Sequence, residues 1–356
     1  KIPLFSLETY TPLKEFDIIG FSLQYELSYT NILNMIDLAE IPVMASERGE
    51  TEPLVIAGGP TAISPEPLAD FIDLFLIGDG EESLPHLVEL WKGMNQKKLS
   101  RKEKIVSLAQ TLKNAYAPSL YEVMYHQDNT IQEIRPRISG LPSPIRSASV
   151  RDLNKTYFPT KPIVPYVKTI HDRITIEVMR GCTQGCRFCQ SGMSKRPTRP
   201  RTVENIINLA ELCYANTGHN EISLASLSIS DYPSLKRLME EMNRIFISRH
   251  VNISFPSLRV NEQLVLLPSM LNTVRKSGLT LAPEAATQGL RKIINKNISD
   301  EDLFTGVGEA FKQGWNLVKL YFMVGLPTET DDDIDAIARL AYHVSDLKKG
   351  ISGNFG

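Results

Sequence analysis

The stretch RGCTQGCRFCQSGM, residues 180–193, holds three of the chain's four cysteines. Cys182, Cys186 and Cys189 have the spacing C-x3-C-x2-C and come directly after ITIEVM at 174–179, an apolar run that predicts a strand. Three thiolates on one short loop can each bind one iron of a cubane cluster, which contains four irons. The sequence therefore predicts an iron–sulfur site at a strand end, with one iron that has no protein ligand.

A zinc site is the alternative use of these thiols, and a structural zinc site needs four ligands. Cys213 lies in a helical pattern between Leu212 and Tyr214, where a free cysteine is expected to be a small buried hydrophobe. His171 and His219 are expected to be polar surface residues rather than ligands. Zinc is therefore disfavoured, although the sequence leaves it open.

The composition is that of a globular protein of two or more domains, with 356 residues, 42% hydrophobic residues and 22% charged residues. A formal net charge of −2 argues against wholesale coating of a polyanion. The chain shows neither a secretion signal nor an apolar run long enough to span a membrane. A cytoplasmic protein without a membrane partner is the expectation.

The first hundred residues alternate apolar strands with amphipathic helices, which predicts an α/β domain over residues 1–95 with a doubly wound (Rossmann-like) sheet. The predicted strands and helices are 16–23, 31–41, 53–59, 73–82 and 84–94. Ligands in such sheets bind beyond the carboxyl ends of the strands. There Gly58, Gly59, Gly78 and Gly80 would let a ligand approach the backbone closely.

Residues 96–170 are predicted to be a linker, because a run of mixed charge at 97–104 is followed by a proline-rich, irregular region. Residues 171–356 resume the alternation of strands and helices and predict a partial (β/α)6 barrel of the TIM type. The predicted strands of this domain are 174–179, 221–229, 252–258, 278–284 and 316–324. The predicted helices between them include 202–215, 234–246 and 300–313.

The cysteine motif, with Phe188 before its last cysteine and a barrel strand before the motif, resembles the radical S-adenosylmethionine (radical SAM) superfamily. The resemblance implies a [4Fe-4S] cluster on Cys182, Cys186 and Cys189, whose open iron is chelated by the amino and carboxylate groups of S-adenosylmethionine. Electron transfer from the cluster then breaks a carbon–sulfur bond and gives methionine and a 5'-deoxyadenosyl radical. The resemblance also implies a one-electron donor of the flavodoxin or ferredoxin type.

Two further strand ends resemble cofactor-binding segments of this superfamily. LASLSISDY at 224–232 corresponds to the segment that receives the methionine ammonium group; it lacks the usual glycines, which leaves backbone carbonyls or the hydroxyls of Ser226 and Ser228 as acceptors. SFPSLRV offers Ser257 and Arg259 where members of the superfamily contact the ribose and the carboxylate of the cofactor.

The last two strand ends resemble the superfamily as well. LAPEAATQGLRKIINKNIS at 281–299 is similar to the methylthiotransferase-like branch, with Glu284 at the acidic position that accepts the ribose hydroxyls. The alternative for Glu284 is an acid that complements a helix dipole. VKLYFMVGLPTET resembles the strand and turn that pack against adenine, with Thr328 in place of the usual glycine. Phe188 is expected to contact the adenine too, or simply to pack the loop.

The N-terminal sheet resembles the later part of a cobalamin-binding domain, through FDIIGFSL, VIAGGP and LIGDGEESL. Gly58 and Gly59, followed by Pro60, would lie against the nucleotide tail or the corrin edge. The D-x-H-x-x-G segment that supplies a histidine to cobalt does not occur in the chain. With the cysteine motif, the chain closely resembles one bacterial family of cobalamin-binding radical SAM proteins. The sequence is expected to be a fragment that lacks the start of the cobalamin-binding domain and the end of the barrel.

Three functions stay open at this point. The first is a radical SAM enzyme that transfers a methyl group from cobalamin to an unreactive carbon. The second is a radical SAM enzyme without catalytic cobalamin that performs methylthiolation or a rearrangement. The third is a zinc-stabilised RNA-binding module that uses the basic run Arg187, Lys195, Arg196, Arg199 and Arg201. RNA, a peptide or a metabolite can be the substrate, and Arg180 receives no role.

Overall fold

The structure is a computed structural model that describes residues 2–167, 169–254 and 279–352. The chain forms two compact units, Lys1–Arg151 and Asp152–Gly356. Each unit has its own main hydrophobic core. The boundary falls inside the predicted linker 96–170, so this region is shared between the two units instead of separating them.

The first unit contains a four-stranded sheet in the order β1-β2-β3-β4. β1 (Ile18–Ser22), β2 (Leu54–Gly58) and β3 (Leu74–Leu76) are parallel, and β4 (Ala115–Tyr116) is antiparallel to β3. The helices are α1 (Tyr29–Leu38), α2 (Gly80–Gln96) and α3 (Arg101–Thr111). β2 and β3 are almost wholly buried, as parallel strands covered on both faces must be. The predicted α/β class is confirmed.

Much of the predicted linker folds into this first unit. Ser100 and Glu103 form a reciprocal capping box that begins α3 inside the mixed-charge run. Leu108 and Tyr121 are buried in the core of the unit. β5 (Tyr121–Tyr125) and β6 (Ile131–Pro136) then form an antiparallel hairpin. Most charges of the run are exposed, which is why the sequence pattern resembled a solvated linker, but Arg101 is 7% exposed and donates to Asp73 Oδ2 over 2.8 Å.

The second unit contains the parallel strands of the predicted TIM-like barrel. β7 (Ile174–Glu177), β10 (Glu221–Ala225) and β11 (Asn252–Ser254) form one sheet, and β12 (Leu279–Glu284) pairs with β13 (Val318–Phe322). A short antiparallel pair, β8 (Met179–Arg180) and β9 (Arg199–Pro200), flanks the cysteine motif. Each of the five predicted strands contains an observed strand.

Helices follow the strands of this unit, and their apolar faces build the core with one face of each sheet. They are α4 (Gln190–Ser194), α5 (Val203–Thr217), α6 (Leu235–Phe246), α7 (Gln288–Ile293), α8 (Asp300–Lys312) and α9 (Asp331–Ser352). Ile176 and Leu224 are buried on the helix-covered face, whereas Thr175 points the other way and is exposed. None of the helices in the described ranges is long and apolar enough to cross a membrane.

Candidate active site

The cysteine loop, residues 181–189, connects β8 to α4 in the second unit. Gly181 begins it at a φ of +89°, and a Cβ atom there would lie 2.7 Å from the carbonyl oxygen of Lys195. Only glycine fits this close approach without strain. The loop conformation is therefore specified at its first residue.

The three thiols of this loop are half-buried, and none of them forms a disulfide. The backbone N–H of Gln184 donates to Cys182 Sγ over 3.4 Å, and that of Gly192 donates to Cys189 Sγ over 3.3 Å. Hydrogen bonds of this kind to cysteine sulfur tune iron–sulfur clusters. No group of three or more His, Cys, Asp or Glu side chains in the described ranges is arranged to hold a metal ion.

Cys213 lies apart from this loop. It is 2% exposed in the core side of α5, and burial raises the pKa of its thiol. A thiol with a raised pKa in an apolar core is a poor metal ligand, because ligation requires the thiolate. The structure places Cys213 where the sequence predicted it, as a buried hydrophobe.

Two members of the basic run are also structural. Arg199 is 7% exposed and donates to the carbonyl of Pro197 over 3.0 Å. Arg201 is 3% exposed and donates to the carbonyls of Glu177 and Leu153. These two guanidinium groups are therefore not available to RNA phosphates, and the run of five cations predicted for an RNA-binding module does not exist as one surface.

The segment after β10 contacts the cysteine loop from one side. Asp231 Oδ2 accepts hydrogen bonds from Thr183 Oγ1 over 3.2 Å and from Gln184 Nε2 over 3.0 Å. Ser226 Oγ accepts a hydrogen bond from the N–H of Ser228 over 3.1 Å. Ser228 itself is 5% exposed, and its Oγ has no hydrogen-bond partner among the described residues. A buried hydroxyl without a partner is costly, so it indicates a place for a ligand atom.

The segment after α7, residues 293–296, contacts the cysteine loop from another direction. Asn295 Nδ2 donates to the carbonyl of Gly185 over 2.7 Å. The carbonyl of Ile294 accepts from the N–H of Arg187 over 2.9 Å, and the carbonyl of Ile293 accepts from the Arg187 guanidinium. The cysteine loop is therefore held by segments that follow two different strands of the barrel.

Glu284 and Phe188, both predicted to contact the cofactor, are linked through Lys296. Lys296 Nζ lies 3.5 Å from Glu284 Oε1, and both side chains are largely buried. The same Nζ lies 6.0 Å from the centre of the Phe188 ring. Thr287 caps α7, which leaves Glu284 paired with Lys296 rather than with the helix N-terminus. The helix-dipole interpretation of Glu284 is therefore not supported.

A second ion pair lies at the carboxyl end of β7. Arg180 Nε donates to Glu177 Oε1 over 2.9 Å, and Arg180 Nη2 donates to Glu177 Oε2 over 2.8 Å. Sequence reasoning gave neither residue a role. Glu177 had a signal, because it is the only charged residue in the apolar run ITIEVM. Asp231, Asn295 and Lys296 lie in the segments 224–232 and 281–299 that resemble the superfamily, but the sequence does not reveal that they contact the cysteine loop.

The face of β12 and β13 opposite the core is exposed. It carries Thr280, Lys319 and Tyr321, and Lys319 pairs in register with Thr280. Tyr321 is 56% exposed, whereas its neighbours Leu320 and Phe322 pack against the core. A TIM barrel normally fills its inner face with branched apolar side chains, whereas this exposed face of the described residues is polar. The predicted cofactor residues Ser257 and Arg259 lie outside the described residues.

Comparison with known families shows to which superfamily the chain belongs. Residues 176–341 match the family described as "Radical SAM superfamily", and residues 1–118 match "Radical SAM proteins, N-terminal". The chain belongs to the radical SAM superfamily. The cysteine loop lies inside the first of these matches.

Two relatives match most or about half of this radical SAM chain. An uncharacterized protein of Methanocaldococcus jannaschii is 29% identical over 345 residues, which are 96% of this chain and 66% of that protein. The ribosomal protein uS12 methylthiotransferase RimO of Pelotomaculum thermopropionicum is 24% identical over 199 residues, 52% of this chain and 42% of that protein. The chain thus spans less than two thirds of the length of the relatives it matches.

Two solved radical SAM structures share the fold. The cobalamin-dependent S-adenosylmethionine radical enzyme OxsB, with aqua-cobalamin and S-adenosylmethionine bound, matches 92% of this chain and 43% of its own, with a TM-score of 0.60 and 16% identity. The methyltransferase TsrM from Kitasatospora setae, with cobalamin and a [4Fe-4S] cluster bound, matches 91% of this chain and 62% of its own, with a TM-score of 0.58 and 13% identity. At these identities the likeness shows the fold alone.

The glycines of the first unit of this radical SAM chain have partners within the protein. Gly59 has φ +101° and ψ −175°, and a Cβ atom there would lie 2.9 Å from the backbone of Leu23. A Cβ atom on Gly78 would lie 2.3 Å from the carbonyl oxygen of Ala148. Gly58 is less crowded, because a Cβ atom there would lie 3.4 Å from the carbonyl oxygen of Leu76. Protein packing therefore explains Gly59 and Gly78 without a ligand.

Proposed function

We propose that this radical SAM enzyme holds a [4Fe-4S] cluster on Cys182, Cys186 and Cys189 and cleaves S-adenosylmethionine reductively. The observation that carries the proposal is a loop of three thiols at a strand end, none of them in a disulfide, with backbone N–H groups directed at two of the sulfurs. Within the described residues the remaining cysteine, Cys213, is buried in an apolar core. The donor set therefore fits a cluster that keeps one iron open to a cofactor.

S-Adenosylmethionine bound at such a cluster supplies methionine and a 5'-deoxyadenosyl radical after one electron is transferred. The residues of this chain bind and orient it. The unpartnered, buried hydroxyl of Ser228 fits a hydrogen bond to the methionine end, with Ser226 beside it. Glu284 accepts from the ribose hydroxyls, and Phe188 packs against the adenine. Arg259 is proposed to bind the cofactor on the strength of the sequence resemblance alone.

The Glu177–Arg180 ion pair contributes to the same site in this proposal. A bidentate pair at the carboxyl end of β7 fixes both side chains at the entrance to the cysteine loop. Its role is to hold the start of the loop, since Arg180 is the residue before Gly181. Exposed polar residues on β12 and β13, Lys319 among them, are available for the substrate.

The finer proposal is that cobalamin carries a methyl group to an unreactive carbon of the substrate. Support comes from the shared fold with OxsB and TsrM, both described with cobalamin bound. At the carboxyl edge of the first sheet, Tyr25, Leu27 and Ile63 are large apolar residues that are exposed, which suits a broad, flat ligand. Gly58 and Gly59 are proposed to lie beside this ligand, although Gly59 also has a packing role.

The second candidate is a radical SAM enzyme that performs methylthiolation or a rearrangement without catalytic cobalamin. It is favoured by the similarity to the uS12 methylthiotransferase RimO and by the resemblance of residues 281–299 to the methylthiotransferase-like branch. A ribosomal protein or RNA substrate would follow from that candidate, whereas a peptide or a metabolite suits methyl transfer equally. In either case we propose that a flavodoxin- or ferredoxin-type protein supplies the electron.

The test of the coarser function is direct. Anaerobically reconstituted protein is reduced in the presence of S-adenosylmethionine, and 5'-deoxyadenosine and methionine are measured by mass spectrometry. We expect both products from the wild type, with reduced flavodoxin able to replace a chemical reductant. A reconstituted, iron-loaded protein that forms neither product contradicts the proposal.

The test of the finer function uses a protein of full natural length. Equilibrium binding of methylcobalamin is measured by its visible spectrum, with the protein in excess. Saturable binding at one site per chain supports methyl transfer. Failure to bind rejects the cobalamin-dependent function and leaves the second candidate.

A further inference from the structure

The middle of the cysteine loop is held by the connection that follows α7. Asn295 Nδ2 donates to the carbonyl of Gly185 over 2.7 Å, and Gly185 directly precedes Cys186. The next residue but one, Arg187, donates through its N–H to the carbonyl of Ile294 over 2.9 Å. The part of the loop that carries Cys186 is thus fixed on both sides by residues more than a hundred positions away in the chain.

Asn295 and Gly185 fit each other closely. Asn295 has a φ of +54°, in the left-handed region that asparagine tolerates better than most residues. A Cβ atom on Gly185 would lie 2.9 Å from Asn295 Nδ2, a distance at which one of the two must move. The asparagine places its amide against the loop, and the glycine leaves room for it.

The same connection reaches the predicted cofactor residues. Lys296, the residue after Asn295, lies 3.5 Å from Glu284 Oε1 and 6.0 Å from the ring centre of Phe188. Two adjacent residues therefore contact the cluster-bearing loop and the carboxylate expected at the ribose. Displacing Asn295 would shift the thiol of Cys186 relative to Glu284.

From these contacts we infer that Asn295 is a positioning residue for the cluster: through the carbonyl of Gly185 it holds Cys186 in the place from which the thiol binds iron. The inference rests on the proposed function, since it assigns a role toward the cluster that the cysteines hold. It concerns a residue that touches neither the iron nor the cofactor. Its effects must therefore appear in the properties of the cluster and not only in activity.

The experiment compares Asn295→Asp and Asn295→Gly with the wild type, each as reconstituted holoprotein. Aspartate keeps the shape and the left-handed backbone but replaces the amide donor by an acceptor that faces a carbonyl oxygen. Glycine keeps the backbone and removes the side chain. We expect a chelator to remove iron about five- to tenfold faster from both variants, which corresponds to the loss of one hydrogen bond. We also expect a changed electron paramagnetic resonance spectrum of the reduced cluster.

Asn216→Asp is the matched control. Asn216 Nδ2 donates to the carbonyl of Thr160 over 3.0 Å, so the substitution makes the same chemical change on the surface of the same unit, away from the cysteine loop. We expect iron release and the resonance spectrum of this variant to equal those of the wild type. Melting temperatures of the proteins without iron are measured in parallel, to separate folding from positioning.

A second test combines substitutions at Gly185 and Asn295, which fit each other closely. Gly185→Ala is expected to accelerate iron loss because its Cβ atom meets the Asn295 amide, and Asn295→Gly in the same chain removes that collision. The double variant should therefore lose iron no faster than Asn295→Gly alone. If the two effects add, or if the Asn295 variants lower only the melting temperature and leave iron release and the spectrum unchanged, the inference is wrong. A wild type that takes up no cluster overturns the proposed function, and the inference with it.

Discussion

The carboxyl ends of the two sheets differ in whether a buried hydroxyl group has a hydrogen-bond partner within the protein. In the first unit, Thr61 follows β2, is 5% exposed, and donates through Oγ1 to the carbonyl of Leu23 over 3.2 Å. In the second unit, Ser228 follows β10, is equally buried, and has no partner for its hydroxyl among the described residues. The two hydroxyls are equally buried and each follows a parallel strand of its unit. Only the Thr61 hydroxyl has a hydrogen-bond partner among the described residues.

The glycines and cysteines extend this contrast. Gly59 and Gly78 lie where a doubly wound sheet binds ligands, yet backbone atoms of Leu23 and Ala148 fill the space beside them. In the cysteine loop, backbone N–H groups donate to two of the three sulfurs. A polar group that the protein leaves unsatisfied is better evidence for a ligand than a glycine at a favourable strand end.

The largest effect is expected from the cysteine loop. Cys186→Ala removes one of three iron ligands, so we expect no stable cluster and 5'-deoxyadenosine formation below detection. Cys213→Ala is the matched control, because this thiol lies on the core side of α5. This variant should retain both the cluster and the formation of 5'-deoxyadenosine. Mass spectrometry of the products and iron analysis make the comparison. A Cys213 variant that loses its iron would move this cysteine into the site.

Gly59→Ala is expected to destabilise the first unit by about 2 kcal/mol or more, because φ +101° with ψ −175° is a region that only glycine occupies without strain. Gly58→Ala should cost less, since the nearest atom to its Cβ would be at an ordinary contact distance of 3.4 Å. Denaturant unfolding without cobalamin measures both. Equal stability of the two variants would indicate that Gly59 serves a ligand and not the packing.

Ser228→Ala sharpens the comparison of the two hydroxyls. We expect the Kd for S-adenosylmethionine to rise about five- to tenfold, because a hydrogen bond to the cofactor is lost. The stability of the protein without cofactor should stay the same or rise, since the hydroxyl has no partner to lose. Thr61→Val should instead destabilise the protein. Calorimetry measures cofactor binding, and thermal unfolding measures stability. A Ser228 variant that is destabilised but binds the cofactor normally would show that this hydroxyl serves the fold and not the cofactor.

The smallest effect is expected at Asp333 in the first turn of α9. Hydrogen bonds from Thr287 and Thr330 hold the pKa of this carboxyl below its ordinary range. A lowered pKa in the folded state stabilises the fold above the ordinary pKa, and this stabilisation is lost as the pH falls through the lowered value. Asp333→Asn should therefore be slightly less stable than the wild type at neutral pH, and the difference should shrink in acid. A difference that grows in acid would contradict this sign.

Much of the fold followed from the sequence, because buried parallel strands have continuous apolar runs and their helices have a clear period. The linker prediction failed at 96–111 for a physical reason. A capping box at Ser100 begins a helix within charges that resemble a solvated loop. Only packing against the sheet shows that Leu108 is core.

Local spacing carries the chemistry of the three cysteines, so the sequence alone was enough to propose them as cluster ligands. The residues that support them could not be predicted in this way. Asp231, Asn295 and Lys296 reach the cysteine loop from other strand connections, and their contacts depend on three-dimensional paths that no periodicity encodes. The same limit explains why the packing of Gly59 against Leu23 was not predicted, since Leu23 is far away in the chain.

The most direct test of the account is the resonance spectrum of the reduced cluster with and without S-adenosylmethionine. Anaerobically reconstituted protein should contain about four irons and four sulfides per chain. Adding the cofactor should change the spectrum, because it binds the iron that the three cysteines leave open. A protein that contains one zinc and no iron, or a cluster whose spectrum is the same with and without the cofactor, would contradict the central claim.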